Sequence, residues 1–130
     1  MDLRTRIEQD GITAEVSGLR DAPAWAEGWP HGTNWYDVTL KMGRRRMTVP
    51  FGMGPAHTIE PDAADVLNCL TSDASGYENA QDFADWCAEY GFDGEEVAEQ
   101  IWRTTGRLTK ALRRFLGDKY AAYLWDTERL

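Results

Sequence analysis

The sequence predicts an α+β fold, with a small antiparallel β-sheet in the N-terminal half packed against a C-terminal group of three to four α-helices. Two observations lead there. Apolar residues alternate with a period of two in three short runs before residue 52, and from residue 62 onward they recur at helical spacing. A third concerns size: 130 residues, 42% hydrophobic and with fifteen aromatics, fit one domain, 1–130, with a real core.

Residues 12–17 set Ile12, Ala14 and Val16 against Thr13, Glu15 and Ser17, the pattern of a half-buried strand. Residues 18–34 are rich in Gly and Pro and read as a loop, with Trp25 and Trp29 as lids on the core. Tyr36, Val38, Leu40 and Met42 then share one face of a strand over 35–42, and Trp35, Asp37, Thr39 and Lys41 share the other. Met47, Val49 and Phe51 continue the alternation, so a hairpin turns near Gly43-Arg44. Pro50 cannot donate a ladder hydrogen bond, which ends the second strand there or places it on an edge.

Pro61 suits a first helical position, and Asp62 and Asp65 suit the first turn, where the helix dipole favours negative charge. Val66, Leu67, Cys69 and Leu70 supply the buried side, and Ser72 to Tyr77 are expected to interrupt the helix. Asn79 is the expected cap of a second helix carrying Phe83, Trp86, Cys87 and Tyr90 at i, i+3, i+4 and i+7, stopped by Gly91. Asp93 and Glu96 read as a capping pair for a longer helix through Val97, Ile101, Thr105, Leu108, Leu112 and Phe115 to Gly117. Asp118 is the expected cap of a last helix with Tyr120, Leu124 and Trp125.

Charge is the strongest functional signal. Residues 1–59 balance seven acids with seven bases, residues 60–100 carry twelve acids and no Lys or Arg, and residues 101–130 carry seven bases and three acids. The net charge of −8 therefore comes from the middle segment. An acidic balance speaks against direct binding to nucleic acid, whose phosphates select Lys and Arg. Acids threaded between apolar residues at helical spacing instead predict a folded acidic face, and the mutual repulsion on such a face is relieved by a cationic partner. The expected partner-binding residues are Asp65, Asp73, Glu78, Asp82, Asp85, Glu89, Asp93, Glu95, Glu96 and Glu99. Arg103, Arg107, Lys110, Arg113 and Arg114 line the polar side of the long helix, where they either screen those acids or form a surface of their own.

Other chemistry has little support. Cys69, Cys87, His31 and His57 match no zinc-ligand spacing, and both cysteines are expected in the core as small hydrophobes, so no metal and no cofactor are expected. A Cys-His nucleophile pair has no local motif behind it, and Asp93-Gly94-Glu95-Glu96 lacks calcium-loop spacing. Catalytic carboxylates need a desolvated pocket, whereas a run of acids is usually a solvated face, so the expectation is a protein that is not an enzyme. Three arginines, Arg44 to Arg46, sit at the hairpin tip, where solvation or neutralisation of nearby acids is the ordinary role. The N-terminal MDLRTRIEQDG has no apolar core or cleavage site, and nowhere do eighteen apolar residues run together. Two cysteines suit a reducing compartment, so a cytoplasmic protein is expected.

The strings MTVPFGMGPAH, PDAADVLNCLTSDASGYENAQDFADWCAEYGFD and LRRFLGDKYAAYLWDTERL resemble a family of small acidic, mostly uncharacterised proteins of bacteriophages and bacterial mobile elements. The resemblance covers residues 35–130 and is most specific in SDASGYENAQDFADWCAEYGFD. It implies a phage or mobile-element setting in a bacterial host and no reaction. Compact acidic proteins in that setting are often anti-defence factors, anti-CRISPR proteins among them. The expectation is a non-enzymatic, DNA-mimicking inhibitor that binds a host CRISPR effector through its acidic helical surface. The alternatives are an accessory protein acting on a basic host replication or recombination protein, and a small enzyme.

Overall fold

A computed structural model describes residues 1–26, 32–54 and 59–129 of the chain. The fold is α+β: helix α1 (Leu3–Asp10), strand β1 (Thr13–Arg20), a 3-10 turn (Ala24–Ala26), strands β2 (Asn34–Met42) and β3 (Arg45–Met53), then helices α2 (Ala63–Asn79), α3 (Phe83–Tyr90) and α4 (Glu96–Leu116). A second 3-10 turn (Gly117–Lys119) leads into α5 (Tyr120–Trp125). The chain divides into two compact units, Met1–Asn68 with Thr127–Leu130, and Cys69–Asp126.

The first unit is built on a three-stranded antiparallel sheet in the order β1-β2-β3. Met42 pairs with Arg45 across the two-residue turn Gly43-Arg44, and Gly43 takes φ 61°, as expected from the sequence. Val38, Leu40, Met47 and Val49 are buried, while Thr39 and Thr48 face each other on the polar side with their hydroxyl oxygens 2.8 Å apart. Arg20–Asp37 (2.8 Å) and Lys41–Glu15 tie β1 to β2 on that side. Strand β3 runs on through Pro50 to Met53 because it is an edge, where a residue without an N–H is tolerated. Strand β1 extends past the expected Ser17: the register shifts between Val16 and Leu19, at Gly18 with φ 61°, and pairing resumes at Leu19–Tyr36. Trp35 is buried as well, its ring edge-on to Trp25 at 5.4 Å, so the face assigned to polar residues carries an aromatic at its end. Trp29 lies outside the described residues.

Helix α1 is an addition to the sequence reading. The Asp2 carboxylate accepts from Thr5 N–H at 2.8 Å, Gly11 closes the helix with φ 68°, and Leu3 and Ile7 bury one side. Leu3 N–H donates to Glu128 O at 3.1 Å, which brings the two ends of the chain together in this unit. The start of α2 also belongs here. Asp65 N–H donates to Asp62 Oδ1 (2.8 Å) and Asp62 N–H to Asp65 Oδ2 (3.0 Å), a reciprocal capping box that moves the first helical residue from Pro61 to Ala63.

The second unit holds the rest of α2 with α3, α4 and α5. Helix α2 is not interrupted at Ser72–Tyr77; it continues to Asn79, with Thr71 and Ala74 fully buried. Asn79 does not cap α3. That role falls to Asp82, whose carboxylate accepts from Asp85 N–H at 2.8 Å, while Asp85 accepts from Gln81 N–H at 3.0 Å. Gly91 ends α3 with φ 77°, as expected. Glu95 rather than Asp93 stands at the start of α4, with no side-chain cap, and Lys119 rather than Asp118 precedes α5. The buried stripe of α4 keeps the expected Leu112 and Phe115 but is turned toward its N-terminus: Ala98, Gly106 and Thr109 are inside with Leu116, while Ile101, Thr105 and Leu108 are half-buried and Val97 is exposed. At Gly106 the size of the facing group decides. A Cβ there would lie 2.9 Å from Tyr77 Oη, so the position admits no side chain without a shift of the ring. In α5, Tyr123 is buried and Trp125 exposed, the reverse of the expectation for Trp125.

Candidate functional site

In the second unit, Trp86, Cys87 and Ala98 form a buried cluster with Phe83, Phe92 and Trp102 against it. Trp86 stacks on Phe92 at 5.3 Å, with their planes 10° apart, and meets Tyr90 at 5.3 Å. Tyr90 is 47% exposed, so it is a rim rather than a core residue, contrary to the role its helical spacing suggested. Its hydroxyl rests on Gly76 of α2, where an added Cβ would fall 1.8 Å from the oxygen.

This arrangement opens a hollow of about 200 Å³ lined by Gly76, Asn79, Ala80, Asp85, Glu89 and Tyr90. Two carboxylates, an amide and an aromatic ring thus meet at one place. Burial, then the charges of Asp73 and Glu89, raise the Tyr90 phenol above its usual range, so it stays neutral and able to donate. Glu89 lies in the last turn of α3, which has no basic residue. Negative charge there opposes the helix dipole and lies one turn from Asp85, so local structure gives Glu89 no reason to be acidic.

The ten acids named from the sequence have different occupations. Asp65 belongs to the first unit, in the cap of α2. Asp82 and Asp85 are bound to the cap of α3. Glu99 pairs with Arg103, and Glu78 accepts from Tyr120 Oη at 3.0 Å and lies 3.5 Å from Arg113. Asp73 is exposed but accepts from the Cys69 thiol at 3.7 Å, and desolvation on the side of its carboxyl that meets the protein raises it above the usual range. Glu89, Asp93, Glu95 and Glu96 are exposed, and among the described residues no hydrogen bond or ion pair engages their side chains. Of the basic row, Arg103 and Arg113 screen acids internally, whereas no acid is paired with Arg107, Lys110 or Arg114 among the described residues.

Both cysteines are free thiols. Cys87 is buried as expected, but Cys69 is exposed. Desolvation of its sulfur, then the charge of Asp73, push that thiol up to about 12, which keeps it protonated and a poor nucleophile at neutral pH. His31 and His57 lie outside the described residues, and among the described residues no three His, Cys, Asp or Glu are grouped to hold a metal. No helix among those residues is long and apolar enough to cross a membrane.

The sequence reading included Asp85 and Glu89 but missed Asn79, Tyr90 and Gly76 as their companions. Gly76 became a signal only once α2 was seen to run through it, since a glycine inside a helix invites the question of what lies against it. No family model, curated protein or solved structure matches the chain.

Proposed function

We propose that this protein is a non-enzymatic binding protein that takes a cationic side chain of its partner into the hollow beside Tyr90. Glu89, Asp93, Glu95 and Glu96 then meet the basic surface around it. The observation that carries the reading is the hollow itself. Its volume of about 200 Å³, two carboxylates and one ring suit an Arg or Lys head with its alkyl stem. The charge would find Asp85 and Glu89, and the ring face of Tyr90 adds a cation–π contact. A Lys/Arg-lined nucleic-acid channel of a host complex presents such side chains in number. Together with the resemblance to phage and mobile-element proteins, this points to a cytoplasmic inhibitor of bacterial defence, with a CRISPR effector as the target class.

The test is plaque formation by a targeted phage on a CRISPR-active host that expresses the chain. The parent should restore plaques, and purified protein should compete with DNA for the effector. Glu89→Lys combined with Asp93→Lys and Glu95→Gln should abolish both effects while the chain stays folded, because no side-chain hydrogen bond or ion pair of the three holds the fold, and Gln in place of Lys avoids a cation at the start of α4. Inhibition that persists in that folded variant would sink the reading. The set deliberately avoids Asp82 and Asp85, whose reversal would uncap α3.

A further inference from the structure

The second unit carries another opening of opposite character. A groove of about 390 Å³ is bordered by Tyr77, Trp102, Arg103, Gly106, Arg107 and Lys110. Arg103, Arg107 and Lys110 stand at i, i+4 and i+7 of α4 and so rise from one face of the helix. Gly106 has no side chain, and the Tyr77 ring lies over it as one wall of the groove. The Tyr77 and Trp102 rings, 4.5 Å between centroids and tilted by 38°, make the aromatic part of the border. Arg103 is engaged by Glu99, and Arg107 donates to Thr104 Oγ1 at 3.2 Å. Among the described residues Arg107 and Lys110 face no paired carboxylate, in a chain whose acids outnumber its bases by 22 to 14.

We propose that this groove binds a nucleotide, with its phosphate held by Arg107 and Lys110 and its base laid against Trp102 and Tyr77. The guanidinium fork matches phosphate oxygens, and the ammonium adds a mobile charge beside it. Aromatic side chains stack on any base, and the volume falls within the range of small-ligand sites. A long nucleic acid suits the groove less well. A strand running along α4 toward its N-terminus meets Glu99, Glu96 and Glu95, and the whole chain carries −8. The site is distinct from the acidic hollow and does not depend on the reading given for it.

Calorimetric titration of the full chain at low salt, with AMP, inorganic phosphate and adenosine as separate probes, tests this. AMP should bind about tenfold or more tightly than either fragment, since stacking and phosphate contacts each contribute on that scale. Arg107→Gln with Lys110→Gln should weaken AMP on the order of tenfold to a hundredfold. Both residues are exposed, so the melting temperature should not move. Three results would overturn the proposal: no AMP binding at millimolar concentration, equal affinity for inorganic phosphate, or AMP binding that survives the double variant. Sedimentation supplies a fourth. A dimer of the parent that disperses in the double variant would assign the groove to carboxylates of a second copy.

Discussion

At Gly76 two effects of known size oppose each other. Alanine is about 1 kcal/mol better than glycine inside a helix, yet its Cβ would fall 1.8 Å from Tyr90 Oη. The atom in the way is the tip of a half-exposed side chain, which swings out more cheaply than a backbone shifts. Gly76→Ala should therefore keep stability within about 1 kcal/mol of the parent in urea titration while releasing Tyr90 from Trp86. Near-ultraviolet circular dichroism reads that release, and an unchanged aromatic signal would refute it. Asp73 gives a pH-dependent case. Desolvation raises its carboxyl in the folded chain above the ordinary 3.8, with the Cys69 thiol as a smaller opposing influence. Folding thus favours the protonated form. That contribution is complete below the unfolded value and is lost as pH rises through the folded one. Asp73→Asn should raise the melting temperature at pH 7, and the gain should close as the pH is lowered to 3. A gain that stays constant over that range would assign the effect to packing.

At the scale of the element, α3 depends on a short-range device. It is eight residues long, too short to persist by propensity, so its cap and its aromatic face together hold it. Asp82→Ala removes the oxygen that accepts from Asp85 N–H and should cost about 1 kcal/mol, measured as a shift of the denaturation midpoint. A shift near zero would mean that the burial of Trp86 alone fixes the helix. The ends of elements were only partly legible. Gly91 and Gly43 were readable because a left-handed φ is a local demand. Asp82 was not separable from Asn79, since both are good caps three residues apart. The continuity of α2 was hidden for a related reason. Ser72, Ser75 and Gly76 weaken a helix taken alone, but Thr71 and Ala74 are fully buried, and burial outweighs a propensity cost of about half a kcal/mol for each serine and about 1 kcal/mol for the glycine.

For the whole molecule, charge rather than shape supplies the forecast. If free carboxylates meet a basic channel, target binding should weaken steeply with added salt, because screening acts on exposed charges within about 10 Å at 0.1 M. The loss should appear first in the association rate, followed by surface plasmon resonance across a salt series. Affinity that is flat in salt would point to an apolar contact instead, with exposed Trp125 and Val97 the first residues to test.

The sequence by itself determined the α+β class, the hairpin at Gly43-Arg44, the end of α3 and the acidic excess of residues 60–100. Each of these follows from periodicity, a glycine's backbone freedom or a count of charges, all of which are local or additive. Tertiary structure alone decided the partners of Glu78, the Tyr120 hydroxyl and the Arg113 guanidinium, which stand on other elements. The other engaged acids are local: Asp65, Asp82 and Asp85 are bound to helix caps, Glu99 to Arg103 and Asp73 to the Cys69 thiol, each within four residues of its partner. The partners of Glu78 depend on which hydroxyl and guanidinium the fold brings within about 3–4 Å, a matter of three-dimensional proximity that composition cannot express. The acidic hollow and the cationic groove have the same origin. Both exist because an aromatic side chain of one helix lies over a glycine of another, Tyr90 on Gly76 and Tyr77 on Gly106.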